Sequence, residues 1–270
     1  MIDAHLHPQD PRLASSLEGC LAEARAAGVD GWIGNGTSEA DWAAVADLAR
    51  RWPGVHPCFG LHPWYVRDRS DRWEARLREF LAISSAVAVG EIGLDKWMRD
   101  PRIEDQEIVF RAQLRLAKEL DLPAVIHCLK AWGRLLDVLG DEGPPPRGFL
   151  LHSHAGPAEM TADFLALGAR FSFSGHFLAE RKSAVREIFR TLPEDRILVE
   201  TDAPDMRLPE ELDRFRLQSP AGEPLNHPAN LAVIARELAR LRETPWEDFV
   251  RRLDANARRL FFPDDAKAAG

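Results

Sequence analysis

Histidine or carboxylate side chains stand at the ends of five separate apolar runs, and these residue types bind divalent metal ions in proteins. The carboxyl ends of parallel strands meet at one edge of a barrel, so side chains from such runs could converge around an ion. Divalent ions polarise ester oxygens and lower the pKa of bound water, so the pattern favours a hydrolase. The runs end in His5-Leu6-His7, Gly90-Glu91, Ile126-His127, Leu151-His152 and Glu200-Thr201-Asp202.

The first two of these segments offer three candidate ligands. Residues two apart in a strand share a side, so His5 and His7 could face one ion together. Glu91 ends the apolar run 87–90, and a buried carboxylate there needs a cation or several hydrogen bonds. Because a carboxylate has two oxygens, Glu91 could bridge two ions. We expect the nearby Asp95 to hold the following loop or cap a short turn rather than bind metal.

The later segments leave one choice open. His127 and His152 end the fifth and sixth candidate strands, but His154 would share the side of His152, so spacing alone does not say which of the two binds metal. Glu200 and Asp202 share a side of the last strand by the same rule. Asp202 lies nearer the strand end, and we predict that it accepts the proton of an attacking water. Glu200 is predicted to orient ligands or water around the ions.

Eight short runs rich in aliphatic and β-branched residues predict the strands that position these side chains. A segment with helical spacing follows each run, and this alternation is typical of parallel strands in an α/β protein. We therefore predict a (β/α)8 TIM barrel in a single domain, since such barrels typically occupy about 250 residues. An open doubly wound sheet would be expected to carry a Gly-rich phosphate loop, and the sequence has none. The candidate strands are 1–6, 31–36, 55–60, 86–91, 124–128, 148–153, 170–174 and 196–201.

Two helices are well marked by apolar periodicity, over 103–120 and 229–242. Residues 203–226 contain several prolines and mixed charges and predict a long loop after the eighth strand. Loops in that position build the pocket of a barrel enzyme, so we expect this segment to cover the site. The predicted domain spans 1–263, and 264–270 is predicted to be a frayed tail.

The net charge of −8 argues against a simple nucleic-acid-binding protein, because phosphate backbones are usually bound by a basic surface. Bound ions would supply positive charge locally. The three cysteines form no CxxC spacing, and they are expected to be reduced. The sequence has no apolar run near the ~20 residues of a membrane span, and its first residues do not read as a signal peptide. We therefore predict a cytoplasmic protein that does not interact with a membrane.

Eight segments, in order along most of the chain, are similar to those of one known family. On these segments the chain resembles the TatD family of metal-dependent deoxyribonucleases, within the wider metallo-dependent hydrolase barrels. The segments are Asp3-Ala4-His5-Leu6-His7, Gly60-Leu61-His62-Pro63, Gly90-Glu91-Ile92-Gly93-Leu94-Asp95, Gln106 to Gln113, Pro123 to Cys128, Leu151-His152 with Gly156, Phe173-Ser174-Gly175 and Glu200-Thr201-Asp202-Ala203-Pro204.

The resemblance implies a site for two divalent ions (Zn, Mn or Mg) and cleavage of phosphodiester bonds in DNA or another phosphodiester. It implies Asp202 as the proton acceptor and selects His152 over His154 as a ligand. Glu91 stands where many relatives in the superfamily carry a carbamylated lysine, which favours the TatD-like branch. The implied ligands are His5, His7, Glu91 and Asp202 for one ion and Glu91, His127 and His152 for the other.

The segments around these ligands depart from the family pattern. Leu129-Lys130 follows the His-Cys pair where relatives usually have an arginine, Asn226-His227-Pro228 replaces Asn-Glu-Pro, and His152-Ser153-His154 replaces His-Cys-Phe. Phosphate contacts are therefore harder to assign than metal ligands. The candidates for substrate contact are His62, Trp64, Lys130, His154 and His176.

Two alternatives to a nuclease remain at this stage. A barrel metallo-hydrolase could act on a small phosphoester, a lactone or an amide with the same ligands. A non-enzymatic interaction scaffold on an inactive barrel would be indicated by the loss of a ligand, and the sequence lacks none of the implied set.

Overall fold

The computed structural model describes residues 1–83 and 85–262, so the predicted tail over 264–270 lies outside the described residues. Eight parallel strands form one sheet in sequence order, each paired with the next along the chain. The predicted (β/α)8 barrel is confirmed. The strands are β1 (Ile2–Leu6), β2 (Gly31–Asn35), β3 (Val55–Phe59), β4 (Ala88–Asp95), β5 (Ala124–Leu129), β6 (Phe149–Leu151), β7 (Ala169–Ser174) and β8 (Ile197–Glu200).

The barrel closes between β1 and the residues that follow β8. Asp202 donates its backbone N–H to the carbonyl of His5, at 2.9 Å. One carboxylate oxygen of Asp3 accepts the backbone N–H of Thr201 at 3.0 Å, and the other contacts the Thr201 hydroxyl. These bonds hold the carboxyl end of the last strand against the first strand.

Helices cover the outside of the barrel. The predicted helices over 103–120 and 229–242 are both observed, as α4 (Ile103–Glu119) and α8 (Leu231–Leu241). None of the helices within 1–83 and 85–262 is long and apolar enough to cross a membrane. The helices are α1 (Leu17–Ala26), α2 (Trp42–Arg51), α3 (Trp73–Ile83), α4 (Ile103–Glu119), α5 (Trp132–Glu142), α6 (Thr161–Ala166), α7 (Ser183–Thr191), α8 (Leu231–Leu241) and α9 (Trp246–Phe261).

The predicted loop over 203–226 contains a short antiparallel ribbon of β9 (Leu217–Gln218) and β10 (Pro224–Leu225). Asn226 ties the end of this loop to the barrel, since its side-chain amide donates to the carbonyl of Thr201 at 2.7 Å. The loop therefore returns to the carboxyl end of β8.

Two strand ends differ from the prediction, and both differences affect the site. β4 continues past the predicted end at residue 91 because Ile92 and Leu94 keep the apolar pattern and pair with β5. β6 ends at Leu151, short of the predicted 153, because Ser153 has a φ of 42°, which an extended strand does not accommodate. Side-chain alternation therefore does not extend from His152 to the residues beyond it.

Two apolar clusters form the core. The larger cluster packs the strands against the surrounding helices. The smaller takes residues from seven of the eight strands and from α9, as expected for the filled interior of a barrel. Asn256 of α9 donates to the carbonyls of Glu194 and Ile197, so this helix lies at the amino end of β8. The carboxyl end of the barrel, opposite this helix, is where polar side chains can be placed.

Candidate metal centre

Four donor atoms meet at the carboxyl end of β1. The Nε2 atoms of His5 and His7 lie 3.3 Å apart. Each lies close to one oxygen of Glu91, at 3.3 and 3.4 Å, and to one oxygen of Asp202, at 3.6 and 3.5 Å. We call these atoms the first donor group.

The other oxygen of Glu91, Oε1, belongs to a second donor group. It lies 3.1 Å from His127 Nδ1, 2.9 Å from His152 Nε2 and 3.3 Å from His62 Nε2. His127 Nδ1 and His152 Nε2 lie 3.3 Å apart. Glu91 therefore separates two donor groups and contributes one oxygen to each.

The spacing of these atoms fits a divalent ion. In a regular tetrahedron with bond lengths of about 2.0–2.2 Å, neighbouring ligand atoms are about 3.3–3.6 Å apart. The first donor group has distances of 3.3–3.6 Å, and those of the second are slightly shorter. Imidazole nitrogens and carboxylate oxygens are donors accepted by Zn²⁺ and Mn²⁺. Both groups could hold an ion.

The electrostatics of the cluster favour positive charge at its centre. Burial acts to raise the pKa of Glu91, but the charges of His62, His152 and His5 outweigh it and hold that pKa well below its usual range. Burial also opposes protonation of His7, yet its hydrogen bond with Asp202 and the charge of Glu91 raise the pKa of His7 to about 9. A histidine that binds an ion must lose this proton, because the metal takes the nitrogen lone pair that the proton occupies.

Neighbouring groups fix the orientation of two ligand imidazoles. The Nδ1 atom of His7 lies 2.9 Å from the carbonyl oxygen of Asn35, and the Nε2 atom of His127 lies 2.9 Å from a carboxylate oxygen of Asp95. Donation from these nitrogens leaves the opposite ring nitrogen of each histidine free to bind metal. Asp95 also accepts the backbone N–H of Trp97 at 2.6 Å, which is the turn-capping role predicted from the sequence.

We expect Asp95→Asn to weaken ion binding at the second donor group about 10- to 100-fold, because the amide lacks the charge that orients His127. Binding would be measured by competition with a chelating indicator. Asp100→Asn, which changes an exposed carboxylate of the same loop, is the matched control. Equal affinity in Asp95→Asn and the wild type would exclude this orienting role.

Glu200 lies behind the cluster. One of its carboxylate oxygens lies 3.6 Å from His152 Nδ1 and accepts hydrogen bonds from the N–H and hydroxyl of Ser153, at 2.7 and 2.6 Å. The other oxygen accepts the hydroxyl of Ser172. Glu200 therefore links the loop after β6 to β7 and β8, beside a ligand histidine, which fits the predicted orienting role.

His154 lies in a different environment from His152. Its side chain is fully buried and packs against Trp132 and Phe171, with ring centroids 5.0 and 4.8 Å away. Neither ring nitrogen has a hydrogen-bond partner within the described part of the chain. Burial lowers the pKa of His154 to about 3. The predicted substrate contact is not supported, because the ring has no surface open to a ligand.

His154→Phe is expected to stabilise the fold, because a phenyl ring fills an aromatic pocket without burying unpaired nitrogens. At pH 7 we expect the free energy of unfolding to rise by about 1–3 kcal/mol. The gain should grow by about 2 kcal/mol at pH 5, since His154 takes up a proton below about pH 6.5 in the unfolded chain and only near pH 3 in the folded one.

Urea unfolding of both proteins at pH 7 and pH 5 measures this difference. His176→Phe, a change at a half-buried imidazole of the 3₁₀ turn Gly175–Leu178, is the control and should give a much smaller pH effect. If His154→Phe raised the free energy of unfolding by the same amount at both pH values, His154 could not have the low pKa that its burial implies.

The remaining predicted substrate contacts have distinct surroundings. His62 is buried against Glu91 and belongs to the second donor group, and burial lowers its pKa to about 4. The indole N–H of Trp64 donates to Asp95 at 2.7 Å. Lys130 is exposed. His176 lies 3.3 Å from the guanidinium of Arg181, and its contacts do not include the donor groups.

Three contacts within the centre were not predicted from the sequence. The roles of Asn35 and Asp95 in orienting histidines, and the approach of His62 to Glu91, all required the structure. For Asp95 the signal existed: it lies four residues after Glu91, an even spacing that places both side chains on one side of β4. The apolar residues between them showed that the strand continues.

Comparisons with known proteins agree on one family. The family model described as TatD related DNase matches residues 2–262. YabD of Bacillus subtilis, named an uncharacterized metal-dependent hydrolase, is 28% identical over 97% of this chain and 98% of its own. The TatD protein of Erwinia billingiae, named a 3'-5' ssDNA/RNA exonuclease, is 33% identical over 97% of this chain and 98% of its own.

A solved structure agrees with the sequence relatives. The crystal structure of YjjV, a TatD homologue from Escherichia coli, superimposes with a TM-score of 0.88 and 32% identity, over 97% of both chains. The likeness therefore covers the whole barrel, including every strand that carries a donor.

Proposed function

Since this chain belongs to the TatD related DNase family of metal-dependent hydrolases, we propose that it cleaves phosphodiester bonds in single-stranded nucleic acid with the help of two divalent ions. The proposed ligands of one ion are those of the first donor group. The proposed ligands of the other are Glu91, His127 and His152, with His62 beside them.

One observation carries this proposal: the two oxygens of Glu91 lie in two different donor groups. A carboxylate with a single ion or a single hydrogen-bond partner does not require donors on both sides. Paired ions are used to hold both the attacking and the leaving oxygen of a phosphoryl displacement. The complete donor set also argues against an inactive scaffold.

Ions held there would polarise the phosphate and favour ionisation of a water molecule. Asp202 is the group that can take the proton. Burial acts to raise the pKa of Asp202. The hydrogen bond from His7 and the charges of His5 and His152 lower this pKa by more than burial raises it, so it lies below the usual range. An ionised Asp202 beside the donor groups is suited to accept a proton from water.

Single-stranded nucleic acid is proposed as substrate because relatives at 33% identity carry the name of a 3'-5' ssDNA/RNA exonuclease. The net charge of −8 gives no general attraction for phosphates, so positive charge from the ions would have to attract the strand.

Cytoplasmic location remains a prediction of the sequence.

Chelation tests the proposal. Protein treated with EDTA and dialysed should lose cleavage of a single-stranded oligonucleotide, and Mn²⁺, Mg²⁺ or Zn²⁺ should restore it. Titration of the restoring ion should reach full activity near two equivalents. Cleavage that continues in excess chelator would refute a metal-dependent reaction, and saturation at one equivalent would refute the second ion.

A further inference from the structure

An exposed tryptophan and a lysine form a pair beside the centre. The side chain of Trp97 is 65% exposed, and Lys130 Nζ lies 4.3 Å from the centroid of its ring. The two residues follow β4 and β5, whose pairing continues to a hydrogen bond from the N–H of Lys96 to the carbonyl of Leu129 at 2.8 Å. Both loops belong to the end of the barrel that carries the donors.

Asp95 connects this pair to the centre. One carboxylate oxygen of Asp95 accepts the backbone N–H of Trp97 at 2.6 Å. The other accepts the indole N–H of Trp64 at 2.7 Å and lies 2.9 Å from a ring nitrogen of His127. The indole of Trp64 and the backbone of Trp97 are therefore both bound to the carboxylate that orients a candidate metal ligand.

We propose that Trp97 and Lys130 form a binding platform for the single strand next to the scissile phosphate, with a base stacked on the indole and a phosphate near the lysine. This inference rests on the proposed function and adds a residue, Trp97, and a substrate feature, an unpaired base. Bases stack on aromatic faces without regard to sequence. A base in a duplex is not free to stack, so the platform selects single strands.

The chemistry of the platform matches this ligand. The large ring of Trp97 is about two-thirds exposed and does not pack in the core. The ammonium group of Lys130 lies over one face of this ring. The net charge of −8 gives no general attraction for phosphate, so a cation held beside the centre would attract phosphate locally. Trp64, 50% exposed, binds the same Asp95 oxygen as His127.

Two substrates separate stacking from phosphate binding: an oligothymidylate of about ten nucleotides and the same strand with abasic residues at its 3' end. Wild-type enzyme should have a KM at least about fivefold lower for the strand with bases, since each stacked base contributes on this scale. Trp97→Ala should erase that preference by raising the KM for oligothymidylate. This variant keeps the backbone N–H that binds Asp95, so the centre stays in place.

Lys130→Ala should raise the KM for both strands and reduce the slope of log KM against log salt by about 0.7, the value for one phosphate contact on a single strand. Trp97→Phe should retain most of the preference for bases. Arg236→Ala is the matched control, because Arg236 lies 4.2 Å from the ring of Trp246 at the start of α9, and it should leave both KM values unchanged.

Equal KM values for the two strands in the wild type would overturn the platform, and so would a preserved base preference in Trp97→Ala. Hydrolysis of a small aryl phosphodiester separates these outcomes from failure of the proposed function. Metal-dependent cleavage of that diester with no base preference would leave the hydrolase standing without the platform. Absence of cleavage of every diester in the presence of metal would remove both.

Discussion

Asp202→Asn will reduce phosphodiester cleavage by about 10²- to 10⁴-fold, the usual contribution of a positioned proton acceptor. The amide cannot take a proton from water, and it also removes one negative oxygen from the first donor group, where Asp202 lies 3.5 Å from His7. The measurement is single-turnover cleavage of an end-labelled single strand at saturating metal. Saturation with metal isolates the loss of the proton acceptor from weaker ion binding.

Asp205→Asn is the matched control. Asp205 lies on the same loop as Asp202 but pairs with Arg12 at 2.7 Å and is exposed, so its loss should change the rate less than about threefold. If Asp202→Asn retained the rate of this control, another group would have to accept the proton.

Glu91→Gln will remove most bound metal from both donor groups and bring activity to background. The substitution takes away the carboxylate that has one oxygen on each side of the cluster, and a neutral amide offers one weak oxygen ligand. Metal analysis after dialysis should show a fall from about two ions per chain towards none. Far-ultraviolet circular dichroism should show that the barrel still folds.

Glu200→Gln provides the comparison for a buried carboxylate at the same end of the barrel. Glu200 lies behind the candidate ligands, 3.6 Å from His152 and hydrogen-bonded to Ser153 and Ser172, so the variant should bind its ions more weakly but lose less metal than Glu91→Gln. Two ions retained in Glu91→Gln would exclude Glu91 as a bridge, whatever the activity.

The strands and most donors were predictable because apolar runs ending in histidine or carboxylate have few other uses. His5, Glu91 and His127 each end such a run, and the structure brings all three to one end of the barrel. The ends of the strands were less predictable, because an apolar pattern does not show where the backbone hydrogen bonds between strands stop. β4 accordingly proved longer, and β6 shorter, than the runs indicated.

The choice between His152 and His154 shows what spacing cannot give. The two-residue rule holds only within an extended strand, and β6 ends at Leu151. The positive φ of Ser153 turns the chain, so His152 reaches Glu91 while His154 enters an apolar pocket. A left-handed serine has no clear sequence signal, and only the resemblance to relatives selected His152, whose ring lies 2.9 Å from Glu91.

The bonds between Asp3 and Thr201 join residues 198 positions apart. A ribosome must therefore translate well beyond Asp202 before His5 and His7 can meet their carboxylate partner. A nascent chain that has not yet reached this point lacks the Asp202 oxygen that lies near His5 and His7.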